Sequence, residues 1–366
     1  MSTSTSLPDH TDFENPLGLY LAALHAGERR QAIDVAVSLL QQGISAERVV
    51  TDLLARAQAE VGQGWQEARW SVAAEHRASA ITESALLAVI SSAMRAPGAV
   101  EEGIRGRVVI SCSEGEWHML PAQMATEVLR LRGADVSFIG PSVPADELAG
   151  FIGDDPPAAV AITCSMSMSL VGAWRSISAL RALGMTVVCG GRGFGPDGRW
   201  GLALGADCWA PDFSVGADLM LSAVDKPAPA PREAAGTEDA VTEVRLLRRD
   251  HETLVEQATQ AAFLLWPRIR KSDAAMRATR DDLAFTLQIV AAATLVEDRE
   301  LVVDYIRWFE KVLTARTLPI AFVPSAFDLL LDVLPLGLPR ARELAQYGRD
   351  ACAGSTLDTE YSPESS

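Results

Sequence analysis

The sequence predicts a multidomain protein of α and α/β class: a four-helix bundle, then a doubly wound sheet domain, then an all-helical C-terminal domain. Three observations predict it. Apolar residues recur at helical spacing over 12–97, and short apolar runs alternate with helix-like segments over 103–225. Helical periodicity returns over 238–352, behind a Pro/Ala-rich stretch at 226–237. At 366 residues the chain is long enough for two or three domains, each with a core.

In the bundle, a first helix over 17–25 stops at Gly27 and a second over 28–42 stops at Gly43. Ser45 is placed to cap a third helix, which carries Val49, Val50, Leu53, Leu54, Ala57 and Val61 at helical spacing. Gly62 and Gly64 interrupt that pattern, and Ser71 is placed to cap a fourth helix reaching about residue 94. Short loops between such helices imply antiparallel neighbours.

The sheet domain reads as strands at 108–112, 136–139, 159–163 and 187–189, with a last strand within 207–212. Helices at 122–131, 145–152 and 170–183 lie between them, which implies parallel strands with right-handed crossovers. The segment Glu116-Trp117-His118-Met119-Leu120-Pro121 falls on the loop after the first strand. Such loops open into the crevice beyond the carboxyl ends of the strands, where these folds hold large ligands. His118 is therefore placed to meet one. The run Gly190-Gly191-Arg192-Gly193-Phe194-Gly195 does not match the dinucleotide pattern and comes at the end of the domain, which excludes NAD.

The stretch Lys226-Pro-Ala-Pro-Ala-Pro-Arg232 reads as a stiff, extended linker. Beyond it, helices are expected over 239–263, 272–296, 299–316, 325–333 and 339–351, with Cys352 just past the last.

Composition narrows the function. A net charge of −16 and a pI near 4.8 argue against nucleic acid as a partner, because phosphate contacts come from Lys and Arg. No apolar run approaches the ~20 residues of a membrane span, and residues 1–8 are polar, so a soluble cytoplasmic protein without membrane contact is expected. The five cysteines have no metal-type spacing and read as small buried hydrophobes in a reducing compartment.

Forty-one residues separate Pro121 from Thr163-Cys164-Ser165, and Gly190-Gly191 ends the next strand. This pattern resembles the Rossmann-like cobalamin-binding fold of methionine synthase, the mutases and the B12 photoreceptors. The resemblance implies that His118 ligates cobalt, that Glu116 orients it, that Thr163 and Ser165 contact the nucleotide tail, and that Gly190 and Gly191 floor the tail slot. Pro121 stands where the family has glycine, and Thr163 stands where it has serine, retaining a hydroxyl.

Trp65, nine residues, then Glu75-His76 is a second match. It resembles the helical cap of light-responsive adenosylcobalamin repressors, implying that Trp65 shields the adenosyl group while Glu75 and His76 lie over the upper corrin face. Neutral imidazole is a good cobalt donor, so His76 is a candidate second metal ligand. The run from Arg280 through Leu287-x-x-Val290 to Asp304-Tyr305-x-x-Trp308 resembles globin-like, haem-free sensory domains.

The whole layout resembles the photocobilins, which implies a non-covalent biliverdin site in the last domain. Arg280, with Arg268, Arg270 and Arg277, would meet propionates, Asp304 would accept from pyrrole N–H groups, and Tyr305 and Trp308 would form a wall.

The resulting expectation is a photoreceptor rather than an enzyme, using adenosylcobalamin and biliverdin. It would signal through a homo-oligomer or a separate signalling protein or enzyme. Two alternatives stay open: a corrinoid shuttle protein for a methyltransferase, and a B12-binding signalling adaptor without bilin.

Overall fold

The computed structural model describes residues 13–95 and 106–355, so the N-terminal stretch 1–8 and the boundaries expected at 12, 97 and 103 lie outside the described residues. The chain forms two compact units. The first contains α1 (Glu14–Ala26), α2 (Arg29–Gln41), α3 (Ala46–Arg48), α4 (Ala55–Gln66) and α5 (Val72–Ala93), together with α6 (Leu120–Leu131) from Gln123 onward. Gly27, at φ +78°, closes α1 by donating to the carbonyls of Ala23 and Leu24. Ser45 and Ser71 cap as expected, accepting the amides of Arg48 and Ala74 at 3.3 and 3.2 Å.

The expected break at Gly62 and Gly64 is not there. From α3 the chain passes through a π-helical stretch, Val49–Leu54, into α4, which runs through both glycines to Gln66. The physical reason lies in packing. A Cβ on Gly64 would sit 2.2 Å from Trp70 Cδ1, so this glycine marks a close approach of a ring and not a stop.

The second unit is built on β1 (Arg107–Cys112), β2 (Asp135–Gly140), β3 (Ala159–Thr163), β4 (Val187–Gly190) and β5 (Cys208–Ala210), in the order β2-β1-β3-β4-β5. The pairs β1–β3, β3–β4 and β4–β5 are parallel. Strands buried on both faces must be apolar throughout, and β1 from Val108 to Cys112 is wholly buried. The helices α7 (Ala145–Asp154), α8 (Leu170–Ala182), α9 (Arg199–Ala203) and α10 (Phe213–Val224) belong to the same unit. The strand order reverses between β1 and β3, so the loops after these two strands flank the topological switch point.

The C-terminal helices α11 (Glu238–Leu265), α12 (Asp273–Val296), α13 (Glu300–Ala315), α14 (Phe322–Val333) and α15 (Pro339–Ser355) belong to this second unit too. One hydrophobic core runs without a break from Ile162, Trp174 and Ile177 to Val244, Leu287 and Val290. The Pro/Ala stretch is accordingly not a free spacer. Arg232 pairs with Asp207, Arg181 donates to the Glu233 carbonyl at 3.1 Å, and Trp174 Nε1 donates to the Ala235 carbonyl at 2.9 Å. Trp200 Nε1 also donates to Asp298 at 2.9 Å, tying α9 to the turn before α13. Cys352 lies inside α15 and is buried, not beyond the last helix. Among the described residues, no helix is long and apolar enough to cross a membrane.

Candidate cofactor site

Strand register gathers the sheet-domain candidates at one edge. Cys112 pairs with Thr163, Thr163 with Gly190, and Gly190 with Ala210, so the carboxyl ends of four strands line up. From that row the chain after β1 turns over itself. Ser113 donates its amide to the Thr163 carbonyl at 2.9 Å, and Gly115, at φ +84°, donates to Ser142 Oγ at 3.2 Å.

Glu116 is the buried pivot of this loop, with only 1% of its surface exposed. One oxygen accepts His118 Nδ1 at 2.6 Å and the His118 amide at 2.9 Å. The other accepts the amides of Ser165 and Met166 at 2.7 and 3.1 Å. A single carboxylate thus ties the β1 loop to the β3 loop across the switch point. Burial pushes this carboxyl up, but the hydrogen bond and charge of His118 and the two sets of backbone amides outweigh it and hold the group below the ordinary carboxylate range. Glu116 is therefore ionised, and the His118 ring, 59% exposed at its side chain, is turned by its Nδ1. Trp117 beside it is 72% exposed, unusual for so large an apolar ring.

Two hydroxyls under the loop lack strong partners. Ser113 Oγ and Thr163 Oγ1 are buried with only thiols beside them, Cys164 at Ser113 and Cys112 at Thr163, and a thiol is a weak partner. Buried orphans of this kind invite a polar ligand group. The two glycines have different reasons. Gly191 sits at φ +107° and a Cβ there would lie 2.3 Å from the Cys164 carbonyl oxygen, so the protein's own backbone demands glycine. At Gly190 a Cβ would make only ordinary contact, 3.8 Å from the Ala210 carbonyl oxygen, so the protein's own packing does not demand glycine there.

Two family models match the chain, each described as a B12 binding domain, one over residues 19–90 and the other over residues 106–212. The chain carries a cobalamin-binding module. Its bundle and parallel sheet give it the fold of corrinoid proteins. The monomethylamine corrinoid protein of Methanosarcina barkeri is similar over 58% of this chain and 99% of its own, at 16% identity and a TM-score of 0.50. The methanol:cobalamin methyltransferase complex of the same organism matches 60% of this chain and 83% of its own, at 19% identity and a TM-score of 0.32. A cobalamin-binding protein of Desulfitobacterium hafniense matches 57% of this chain and 98% of its own, at 15% identity and a TM-score of 0.31. No curated protein sequence matches.

The residues of the module fit a corrinoid. A metal-ligating histidine almost always donates its other ring N–H to a carboxylate, a backbone carbonyl or a water, which fixes the tautomer and the ring plane. Glu116 holds Nδ1 of His118 in that way, and the two orphaned hydroxyls suit a polar tail.

The bundle carries a second acid–histidine pair. Glu75 accepts His76 Nδ1 at 2.6 Å, and its other oxygen accepts Ser79 Oγ at 2.8 Å. Ser79 in turn accepts Gln58 Nε2 at 2.5 Å. The His76 side chain is 75% exposed, while Trp65 on α4 is half-buried.

The bilin candidates in the C-terminal helices are not brought together as one face. Tyr305 is buried, its hydroxyl 2.9 Å from Thr286 Oγ1, and Trp308 stacks beside it with ring centroids 6.0 Å apart. Asp304 instead pairs with Arg307 at 3.3 Å on the outer side, and Arg280 pairs with Glu252. Arg270 lies over the Phe263 ring. Helical geometry explains the split, since neighbours in sequence are about 100° apart around the axis.

The carboxyl near Tyr305 is Asp282, which sequence reading passed over. Burial pushes it up to about 7, with the Asp281 charge adding to the rise and Arg316 opposing it. Asp207 and Asp212, which bracket the last-strand segment, have structural partners. Asp207 accepts the Val187 amide at 2.8 Å beside Arg232, and Asp212 caps α10 through the Val215 amide at 2.8 Å.

Proposed function

We propose that the protein is a light sensor that binds adenosylcobalamin, and that it acts by changing conformation or assembly instead of by catalysis. The observation that carries this reading is the pair of carboxylate-held histidines, Glu116–His118 and Glu75–His76, each with Nδ1 2.6 Å from its acid. Bound adenosylcobalamin would supply a cobalt–carbon bond that light breaks. His118 would hold the cobalt from the sheet domain, with Glu116 fixing its ring, while Ser113, Thr163, Ser165 and Gly190 would receive the nucleotide tail. Trp65 would cover the adenosyl group, and His76 would offer a second oriented imidazole to the cobalt.

The family matches end at residue 212, so the C-terminal helices are an addition to the module. As a second chromophore we assign them biliverdin, held without a covalent bond, with Tyr305, Trp308 and Asp282 as the inner contacts and Asp304 and the arginines outside. A globin-like arrangement is part of this proposal. The rival reading is a corrinoid carrier for a methyltransferase, favoured by the likeness to a monomethylamine corrinoid protein. An adaptor without pigment in its last helices is the third.

The test is an absorption spectrum of the full chain loaded with adenosylcobalamin and biliverdin, before and after illumination. A sensor changes its cobalamin bands in light and has a red band from the bilin. A light product that is the same in the parent and in His76→Ala favours the carrier, and the absence of a red band favours the adaptor.

A further inference from the structure

Glu114, two residues before the buried pivot, is the point where the cofactor loop touches the added helices. Arg175 of α8 donates to both of its carboxylate oxygens, and Arg248 of α11 donates to Oε1 at 3.1 Å. The amide of Ala145, at the start of α7, donates to Oε2 at 3.1 Å. Arg175 also reaches Asp146 at 3.1 Å. The backbone of Glu114 lies hard against α8, since a Cβ on Gly172 would fall 1.8 Å from the Glu114 carbonyl oxygen. The loop is therefore wedged in place at 114 and folded over at 116.

Arginine suits this position because its planar fork holds a carboxylate in a set direction. Arg175 comes from the cobalamin-binding module itself. Arg248 does not; it projects from a helix that lies wholly beyond the matched region. A second path runs alongside, because α12 packs against the turn Ser167–Ser169 that follows the Glu116-bound amides of Ser165 and Met166. Both loops that Glu116 joins thus rest on C-terminal helices.

We propose that Glu114 is a positioning residue for the His118 loop and that Arg248 makes its pose depend on the C-terminal helices. The idea rests on the reading of the His118 loop as a cobalamin site, and it adds a direction of influence: the added helices set the ligand, and loading the ligand site is felt at α11. Sensor and adaptor readings both need such a connection, whereas a carrier does not.

The experiment uses the full chain with Arg248→Ala, Arg248→Lys and Glu114→Gln, beside His118→Ala. Hydrogen exchange of residues 113–120 is measured without cobalamin, and adenosylcobalamin affinity and visible spectra are measured afterwards. Arg248 is 52% exposed at its side chain, so its replacement should leave the fold intact, which the melting temperature checks. Arg248→Ala should raise exchange across 113–120 and weaken adenosylcobalamin binding about two- to five-fold, the size expected of a part-exposed ion pair. Arg248→Lys should restore part of both, and Glu114→Gln should match or exceed the alanine variant. In the parent, adenosylcobalamin should slow exchange around 244–252. Unchanged exchange at 113–120 in both Arg248→Ala and Glu114→Gln would overturn the proposal. Failure of the cobalamin reading has a different signature: His118→Ala would then leave affinity and spectrum untouched, while the exchange result without cobalamin would still stand or fall by itself.

Discussion

Glu116 accepts four hydrogen bonds while almost wholly buried, so its charge is a structural element of the loop. Its carboxyl is held below its ordinary value of 4.5, so its stabilising contribution is complete above that pH and is lost as pH falls through the lower folded value. Glu116→Gln should mimic the acid form at neutral pH. It should loosen the His118 ring and weaken cobalamin retention by roughly 10-fold or more, within the range for the partner of a metal-ligating histidine. Equal retention by the variant, measured by gel filtration and absorbance, would count against the orienting role.

Asp282 runs in the opposite sense. Its folded value is raised from 3.8 to about 7, so the unfolded chain ionises first and stability falls as pH rises across that interval, then levels off. Asp282→Asn removes the cost. Its advantage over the parent in urea unfolding should grow by up to about 1.4 kcal/mol per pH unit from about pH 4 to about pH 7. A constant difference across that range would mean the carboxyl is not buried in its neutral form.

At the scale of elements, Gly172 is a sensitive position, because it lets α8 meet the Glu114 carbonyl. Gly172→Ala should force loop and helix apart at a cost of about 1–3 kcal/mol, as overpacking does, and should weaken cobalamin binding as well. A variant with unchanged melting temperature and affinity would show that the loop can shift freely.

The elements themselves were legible in the sequence, since alternation of apolar runs with helical segments reports local periodicity. Where local signals have two meanings the reading fails. A glycine in a helix either ends it or admits a neighbour, and Gly64 does the second because Trp70 lies against it. The Glu116–His118 contact spans two residues and could be anticipated. The Glu114 contacts span 61 residues to Arg175 and 134 to Arg248, distances at which no spacing rule operates.

At the scale of the molecule, the second unit holds the sheet and the C-terminal helices over one continuous core. Sequence composition made residues 226–237 look like a spacer, because Pro and Ala describe the chain's stiffness and not what it is fastened to. Cutting the chain near Asp225 would uncover Trp174, Ile177 and Leu180, so the shortened protein should aggregate or melt well below the parent in calorimetry. A truncated protein as stable as the parent would mean that the shared core contributes little. Loss of a bilin band on truncation is thus no clean assay, and Tyr305→Ala or Asp282→Asn in the full chain is the better test of that chromophore.

The central claim is that a light-responsive cobalamin is held by His118 and answered by His76. It is tested most directly by the visible spectrum of the full chain bound to adenosylcobalamin, in darkness and after green light, for the parent, His118→Ala and His76→Ala. The parent should change spectrum in light. His118→Ala should lose cobalamin or shift its dark bands, and His76→Ala should keep the dark spectrum but give a different light product. A parent whose bands do not respond to light, with dark and illuminated spectra identical in both variants, would contradict the claim.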